Sequence, residues 1–307
     1  MLSDAVDGTS FRRFSLVVHP VQVHRRIHRV TGHRPPRRAL MRACRFLDSG
    51  RRIAIVSVAM LSLSAAMSAC ADERYEGVAY APDSKRVLYR ETHWRYSQDG
   101  VGQRIVLYRC PRGEAFARKV VTDSPSASAP DFGFVDARDG YEEGVWTRQG
   151  RRYVYTRKDS AAARKETALP ERAGAVIDAG FDAMIRSRWD ALSAGKPIAA
   201  PFLLPSRGSF LDFRIEPLEQ GNGAASVRRL RMALDTWYGF AIAPIELRYA
   251  VADRRLLTFQ GISTIRDQAG RYQNVRIEFA APTQADSAER QVARTQPLVK
   301  SCAGAST

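Results

Sequence analysis

Few side chains in this sequence of 307 residues could carry chemistry. His93 is the single histidine after Cys70, so any serine–histidine–carboxylate set would depend on it, and no G-x-S-x-G elbow is present. A zinc site would need several ligands at workable spacing, and the sequence has no H-E-x-x-H. Gly221 and Gly223 precede a predicted strand instead of a helix, which indicates a turn and not a dinucleotide site. We therefore predict no catalytic residues, no metal and no cofactor.

Four carboxylates lie close together in the sequence, at Asp136, Asp139, Glu142 and Glu143. A pair of carboxyl groups that flank a sugar linkage is the usual equipment for glycoside cleavage, so this set suggests a hydrolase. The same residues surround a predicted turn at Gly140, a position where polar side chains are common. A carboxylate-dependent hydrolase is therefore one alternative for the function, and charges around a hairpin turn are the other interpretation.

A proline-rich apolar segment at 196–207 is the candidate wall of a binding pocket. Its three prolines cannot donate hydrogen bonds to a sheet, so the segment is predicted to be an edge or crossing segment. It directly follows a predicted helix whose apolar face should cover the sheet. We predict that a lipid or other apolar ligand contacts Trp189, Phe202 and Leu204. Arg207 at the rim would hold an acidic head group or form a structural salt bridge.

The elements that must position these residues are mostly strands. Short runs rich in valine, leucine, tyrosine and threonine, separated by turn residues, predict hairpins along residues 76–280. Gln149-Gly150 gives a clear hairpin signal, because glycine accepts the positive φ of a tight turn. One helix is predicted at about 178–192, with apolar residues at intervals of three and four and Asp178 as its cap. The predicted fold is mainly β, a curved antiparallel sheet or half-barrel with this helix packed against it.

The stretch from Arg51 to Asp72 has the order of a secretory signal. Two arginines precede a charge-free apolar run over 53–69, and small residues surround Cys70. We predict a signal peptide at 41–69 that begins at Met41, with residues 1–40 disordered or untranslated. The apolar run is near the lower limit of about 17 residues needed to cross a bilayer. A retained anchor and a buried core helix are therefore the alternatives.

Met67-Ser68-Ala69-Cys70 resembles the lipobox of bacterial lipoproteins. The resemblance implies that Cys70 is lipidated and becomes the mature N-terminus, and Ala71 after it implies sorting to the outer membrane. Ordinary cleavage after Ala71 is the alternative, because Ala69-Cys70-Ala71 has the A-x-A form. The sequence thus predicts an exported periplasmic protein that is attached to the outer membrane through an N-terminal lipid anchor.

The formal net charge of +16 overstates the basic character of the exported part. Residues 1–69 hold 12 arginines and 3 aspartates, so the chain from Cys70 onward carries +7. Its arginines are interspersed with carboxylates, which indicates solvated strand ends or attraction to anionic lipid. The sequence has no recognised nucleic-acid motif, and we predict no nucleic-acid partner.

Cys110 and Cys302 are the cysteines that remain after export, and an oxidising compartment favours their pairing. The sequence does not give their separation in space, so a disulfide and two free thiols both stay open. We predict a single β-rich domain at 70–282 and a loose C-terminal tail at 283–307, with Cys302 as its only tether.

Several segments resemble a group of exported gammaproteobacterial proteins of unknown function. They are Gly144-Val145-Trp146-Thr147, Trp189-Asp190-Ala191-Leu192, Pro201-Phe202-Leu203-Leu204-Pro205-Ser206-Arg207, Leu256-Leu257-Thr258-Phe259-Gln260-Gly261-Ile262-Ser263 and Val275-Arg276-Ile277-Glu278-Phe279. The resemblance covers about residues 75–280 and brings no catalytic residues. It implies a long, curved antiparallel sheet with a helix packed against it, a shape similar to exported half-barrels that carry lipids.

The leading hypothesis is therefore a non-enzymatic cell-envelope protein that binds a lipid or other apolar ligand. The alternatives are the carboxylate-dependent hydrolase and a structural interaction module of an envelope assembly.

Overall fold

The computed structural model describes residues 72–219, 226–236 and 243–302. The predictions for the extension at 1–40, the signal peptide at 41–69, the lipidated Cys70 and the turn at 221–223 lie outside the described residues. Within the described ranges, no helix is long and apolar enough to cross a bilayer.

Antiparallel strands dominate the described residues, as the alternation of apolar and polar side chains predicts. The strands are β1 Glu73–Tyr80, β2 Val87–Gln98, β3 Val101–Arg109, β4 Ala115–Ser126, β5 Ala129–Asp136, β6 Tyr141–Arg148, β7 Arg151–Arg157, β8 Lys165–Ala168, β9 Ile198–Leu204, β10 Ser209–Pro217, β11 Val227–Leu234, β12 Ile245–Ala250, β13 Leu256–Arg266, β14 Tyr272–Phe279 and β15 Thr283–Gln284. They form one open sheet in the order β8-β7-β6-β5-β4-β3-β2-β1-β14-β13-β12-β11-β10-β9, with β15 paired to the start of β1. Two runs of hairpins, β1 to β8 and β9 to β14, are thus joined where β1 pairs with β14.

The predicted fold class is confirmed, and so is the hairpin at Gln149-Gly150. Both residues adopt positive φ, 51° and 72°, and they join β6 to β7. The edge strands of the sheet are β8 and β9. Strong curvature brings the 3-10 turn Pro205–Arg207, which follows β9, against β6 and β7. The sheet therefore wraps most of the way around its inner face.

Residues 175–179, named here the crossing segment, run between β9 and the β4–β5 turn. The Val176 N–H donates to Pro201 O at 2.8 Å, and the Leu203 N–H donates to Val176 O at 2.9 Å. On its other side, the Ile177 N–H donates to Ser128 O at 3.0 Å. The segment thereby satisfies backbone groups of an edge strand that would otherwise be free to pair with another chain.

The predicted helix forms as two short helices, α1 Gly180–Ser187 and α2 Trp189–Ser193, separated at Arg188. Their apolar face packs on the sheet as expected, with Ile185 and Leu192 fully buried among residues of β10 to β12. The expected cap at Asp178 is wrong, because Ala179 is the N-cap residue and makes no side-chain capping bond. The Asp178 side chain instead turns toward the sheet.

The C-terminal part is not loose over 283–302, which corrects the predicted tail. β15 pairs with β1, and the Ala285 N–H donates to Asp72 O at 2.8 Å. A third helix, α3 Ser287–Thr295, then buries Ala293 in the cluster on the outer face of β2 and β3. The polar composition that suggested a loose tail belongs to the solvent-facing side of this helix.

The structure also joins the two cysteines whose pairing the sequence left open. Cys110 and Cys302 form a disulfide with a Cα–Cα distance of 5.5 Å. The Val299 N–H donates to Ala115 O at 2.8 Å next to this link. The C-terminal segment is therefore held at both ends of α3.

Candidate functional site

The inner face of the curved sheet surrounds a cavity of about 680 Å³. Volumes of roughly 300–1,000 Å³ are typical of pockets that hold small organic ligands. Aromatic and aliphatic side chains supply much of the wall, and a group of ionisable side chains lies among them. The apolar residues that line the cavity include Phe181, Phe202, Leu204, Leu211, Phe213, Met232, Leu234, Ile245, Leu256, Phe259, Ile277 and Phe279.

Three of the four residues predicted to contact a ligand line this cavity. Phe202 and Leu204 come from β9, and the exposed Arg207 lies in the turn that follows it. Trp189 requires a correction, because it is buried in the core and stacks edge-on against Tyr249 at 5.9 Å. It supports the packing of α2 on the sheet and is not part of the cavity wall.

The two ends of the cavity differ in polarity. The pairing of β12, β13 and β14 places Leu256 and Phe279 toward one end, and Ile245 and Ile262 toward the other. We name the first the charged end, and its lining includes Glu73, Arg95, Arg104, Asp182, Arg186, Asp253 and Arg255. The second, the apolar end, is lined by Leu204, Leu211, Leu234, Ile245 and Ile262, with the exposed Arg207 at its rim. Ile262 at this end is 47% exposed.

A buried ion pair crosses the cavity between the sheet and the crossing segment. Lys119 of β4 places its Nζ 2.5 Å from Oδ1 of Asp178, and the two side chains are only 6% and 5% exposed. The Lys119 ammonium also lies 5.7 Å from the ring centres of Phe132 and Phe134. Asp178 adopts a positive φ of 48°, and its Oδ2 has no hydrogen-bond partner among the described residues. Strain of this kind persists only where the surrounding structure fixes it.

His93, the single histidine after Cys70, lines the cavity. Its Nε2 lies 2.8 Å from Oε2 of Glu91, and its ring stacks on Tyr75 with centres 4.4 Å apart. Burial lowers the pKa of His93, and the interaction with Glu91 opposes this shift. The neutral ring donates Nε2–H to Glu91, which leaves Nδ1 as an acceptor without a partner among the described residues.

Of the four carboxylates that suggested a hydrolase, Glu143 lines the cavity. It accepts a hydrogen bond of 2.7 Å from the Tyr141 hydroxyl, which lies 3.2 Å from the hydroxyl of Tyr272. Burial raises the pKa of Glu143, while the bond from Tyr141 and the nearby Lys119 act in the opposite direction.

The other three carboxylates are engaged in ion pairs around the β5–β6 turn. Asp136 binds the Arg138 guanidinium with both oxygens, at 3.0 and 2.6 Å. Asp139 pairs with Arg266, and Glu142 pairs with two arginines of the β7–β8 hairpin. This supports the interpretation of these three as structural charges around a hairpin turn.

Arg104 of β3 is the site residue that sequence reasoning missed most completely. Its Nε is buried without a hydrogen-bond partner, and no carboxylate of the described residues lies within 4.0 Å of its guanidinium nitrogens. Burial lowers the pKa of Arg104, and more distant groups, Tyr75 and Asp182 among them, raise it by more. Arg104 is therefore a charged donor in the cavity wall with no ion pair among the described residues.

A weak signal for these residues exists in the sequence. Lys119 alternates with Ala117 and Val121, and Arg104 alternates with Val106 and Tyr108. Alternate residues of a strand share one face, so each charged residue shares the apolar inner face of its strand. A charge at such a position indicates either a buried ion pair or a ligand site.

Within the described ranges, no group of three or more histidine, cysteine or acidic residues is arranged to hold a metal ion.

No family model matches this chain, and no curated protein matches it. Among solved structures, the chain is similar to the beta-barrel-like protein of domain of unknown function DUF1849 from Brucella abortus, with 11% identity over 70% of this chain and 98% of that chain and a TM-score of 0.39. It is also similar to a DUF1329 family protein from Desulfovibrio piger, with 9% identity over 70% of this chain and 86% of that chain and a TM-score of 0.24.

Proposed function

We propose that this protein is a cell-envelope binding module that holds a lipid or other apolar ligand in the cavity of its sheet. The observation that supports the proposal is the cavity itself, about 680 Å³ within a wall rich in aromatic and aliphatic residues. Transfer of an acyl chain from water into such a site is favourable by about 25 cal/mol per Å² of apolar surface removed from water.

The proposal includes the location in the cell envelope that the sequence predicts. An exported protein tethered through a lipid at Cys70 would meet lipids at the membrane surface, where a protein-bound acyl chain is shielded from water. Metabolic labelling with a fatty acid, with Cys70→Ala as the control, tests the tether. An unlabelled wild-type protein would contradict it.

The cavity favours ligand binding over a structural interaction module, which would present a flat apolar face instead. Two of the exposed large apolar residues, Ile262 and Tyr272, lie at the cavity. Their exposure fits an opening through which a chain enters.

Native mass spectrometry of the full-length protein, purified under mild conditions, tests the binding. We expect a bound lipid that denaturation releases, and saturable binding of a fluorescent acyl probe by the stripped protein. Leu204→Asp places a charge in the apolar end and should weaken probe binding about tenfold or more.

Val251→Asp is the matched control, because Val251 is 37% exposed and is not a cavity residue. It should bind the probe like the wild type. A wild-type protein that carries no lipid and binds no acyl probe would contradict the proposed function.

A further inference from the structure

Arg104 differs from the other arginines at the charged end, because each of those lies close to a carboxylate. The distances are 3.7 Å for Arg95 to Glu73, 3.1 Å for Arg186 to Asp182 and 3.4 Å for Arg255 to Asp253. Arg104 has no such partner within 4.0 Å among the described residues, and its Nε is buried. Arg104 is therefore the arginine of this end without an ion pair among the described residues, and the carboxylates of Asp182, Asp123 and Asp178 act on it only from beyond 4.0 Å.

A second unpartnered atom, the Nδ1 of His93, belongs to a residue close to Arg104 in the sheet. Arg104 is directly opposite Arg95 in the β2–β3 register, and His93 lies two residues from Arg95 on the same face. Diagonal neighbours of this kind are about 7–8 Å apart, which is within reach of long side chains. His93 lines the same cavity, and its Nδ1 has no partner among the described residues. The charged end thus offers a cationic donor and a neutral acceptor together.

Buried polar groups in folded proteins nearly always have partners, so two unpartnered atoms at one place point to a ligand that supplies them. The Glu91 and Glu143 carboxylates of the cavity do not compete for this ligand group. Glu91 is engaged by His93, and Glu143 accepts the hydrogen bond from Tyr141. Asp178, whose Oδ2 also has no partner among the described residues, is paired with Lys119.

We propose that the ligand is an amphiphile whose anionic head, a carboxylate or a phosphate, binds the Arg104 guanidinium while its chain extends toward the apolar end. This inference rests on the proposed function and adds the class and the orientation of the ligand. The planar guanidinium can donate two parallel hydrogen bonds to such a head, which a lysine could not do. The His93 Nδ1 accepts a hydrogen bond from a hydroxyl group of the head.

The test uses the stripped full-length protein and three probes: palmitate, methyl palmitate and inorganic phosphate. The two lipids share one chain and differ in head charge. We expect the wild type to bind palmitate about 10- to 100-fold more tightly than methyl palmitate, the range expected of a hydrogen bond to a charged group. Arg104→Met should remove this preference and leave the affinity for methyl palmitate unchanged.

Two further variants locate the effect. Arg148→Gln removes a charge that is 62% exposed and outside the cavity, so it should keep the wild-type preference. Arg207→Gln tests the rim of the apolar end and should also keep the wild-type preference for palmitate.

The ligand-free Arg104→Met protein should melt at the wild-type temperature or above, because an unpaired buried charge is removed. Arg104→Gln is a second neutral variant should the first not fold.

The outcomes separate the two proposals. A wild type that binds neither lipid contradicts the proposed function. Equal binding of both lipids, or a preference that survives in Arg104→Met, overturns the head-group assignment and leaves the proposed function intact. If Arg207→Gln is the one variant that loses the preference for palmitate, the head group lies at the apolar end, and the assignment of the head to Arg104 is also overturned. Binding of phosphate without binding of palmitate would identify a site for a free anion instead.

Discussion

Lys119→Met tests whether the buried ion pair with Asp178 holds the crossing segment against the sheet. The two side chains are 6% and 5% exposed, and the Asp178 carboxylate has one oxygen without a partner among the described residues. Removal of the ammonium leaves this carboxylate without its paired charge in a site where it is only 5% exposed. Methionine keeps an apolar side chain of similar length, so the change removes the charge together with the ammonium contacts to the rings of Phe132 and Phe134.

The expected loss is about 3–5 kcal/mol in the free energy of unfolding, the usual cost of removing one partner of a buried ion pair. For a domain of this size that corresponds to a melting temperature lower by about 6–20 °C. Urea unfolding followed by circular dichroism measures the free energy of unfolding, and a thermal scan measures the melting temperature. Lys165→Met on the exposed edge strand β8 is the matched control and should change stability by about 0.5 kcal/mol or less.

The double variant Lys119→Met, Asp178→Asn decides the mechanism. Asparagine tolerates the positive φ of 48° at this position and carries no charge. The double variant should therefore regain a large part of the stability that Lys119→Met loses. The reasoning is refuted if Lys119→Met costs less than about 1 kcal/mol, or if the double variant is as unstable as the single one.

Three further substitutions probe the cavity and its supports. Burial raises the pKa of Glu143 above its usual 4.5, so this residue contributes stability that is lost as pH rises through its folded-state pKa. Glu143→Gln should then stabilise the protein more at pH 7 than at pH 4, and thermal melts that show the same shift at both pH values would contradict this. Replacement of Cys110 and Cys302 by serine should cost about 2–5 kcal/mol in chemical unfolding, whereas an unchanged denaturation midpoint would argue against a structural role. Gly180→Ala would place a Cβ 2.1 Å from Ser128 O, so we expect a loss of about 1–3 kcal/mol, and a wild-type melting temperature would mean that the β4–β5 turn yields easily.

Local patterns in the sequence were sufficient for most of the strands and hairpins, but not for β15 in the predicted tail. The Gln149-Gly150 turn is an example, because its glycine is required by backbone geometry alone. The helix was also predictable from its apolar spacing, since the packing of Ile185 and Leu192 on the sheet follows from that spacing. The pairing of β1 with β14 depends on contacts between distant parts of the chain, which no local pattern contains.

The cavity could be predicted only in part, for the same reason. Phe202 and Leu204 were identified because prolines mark their segment as an edge strand. His93, Lys119 and Asp178 meet through β2, β4 and the crossing segment, so their proximity depends on sheet register and curvature. Asp178 was assigned as a helix cap because its neighbours in sequence suggested one, whereas its actual partner is 59 residues away.

The start of β1 limits the geometry of any membrane attachment. Asp72 accepts a hydrogen bond from the Ala285 N–H at 2.8 Å, and Glu73 directly after it lines the charged end of the cavity. Cys70 precedes Asp72 by two residues, which reach about 7 Å at full extension. A lipid on Cys70 would therefore hold the charged end of the cavity close to the membrane surface, and not the apolar end where Ile262 and Tyr272 are exposed.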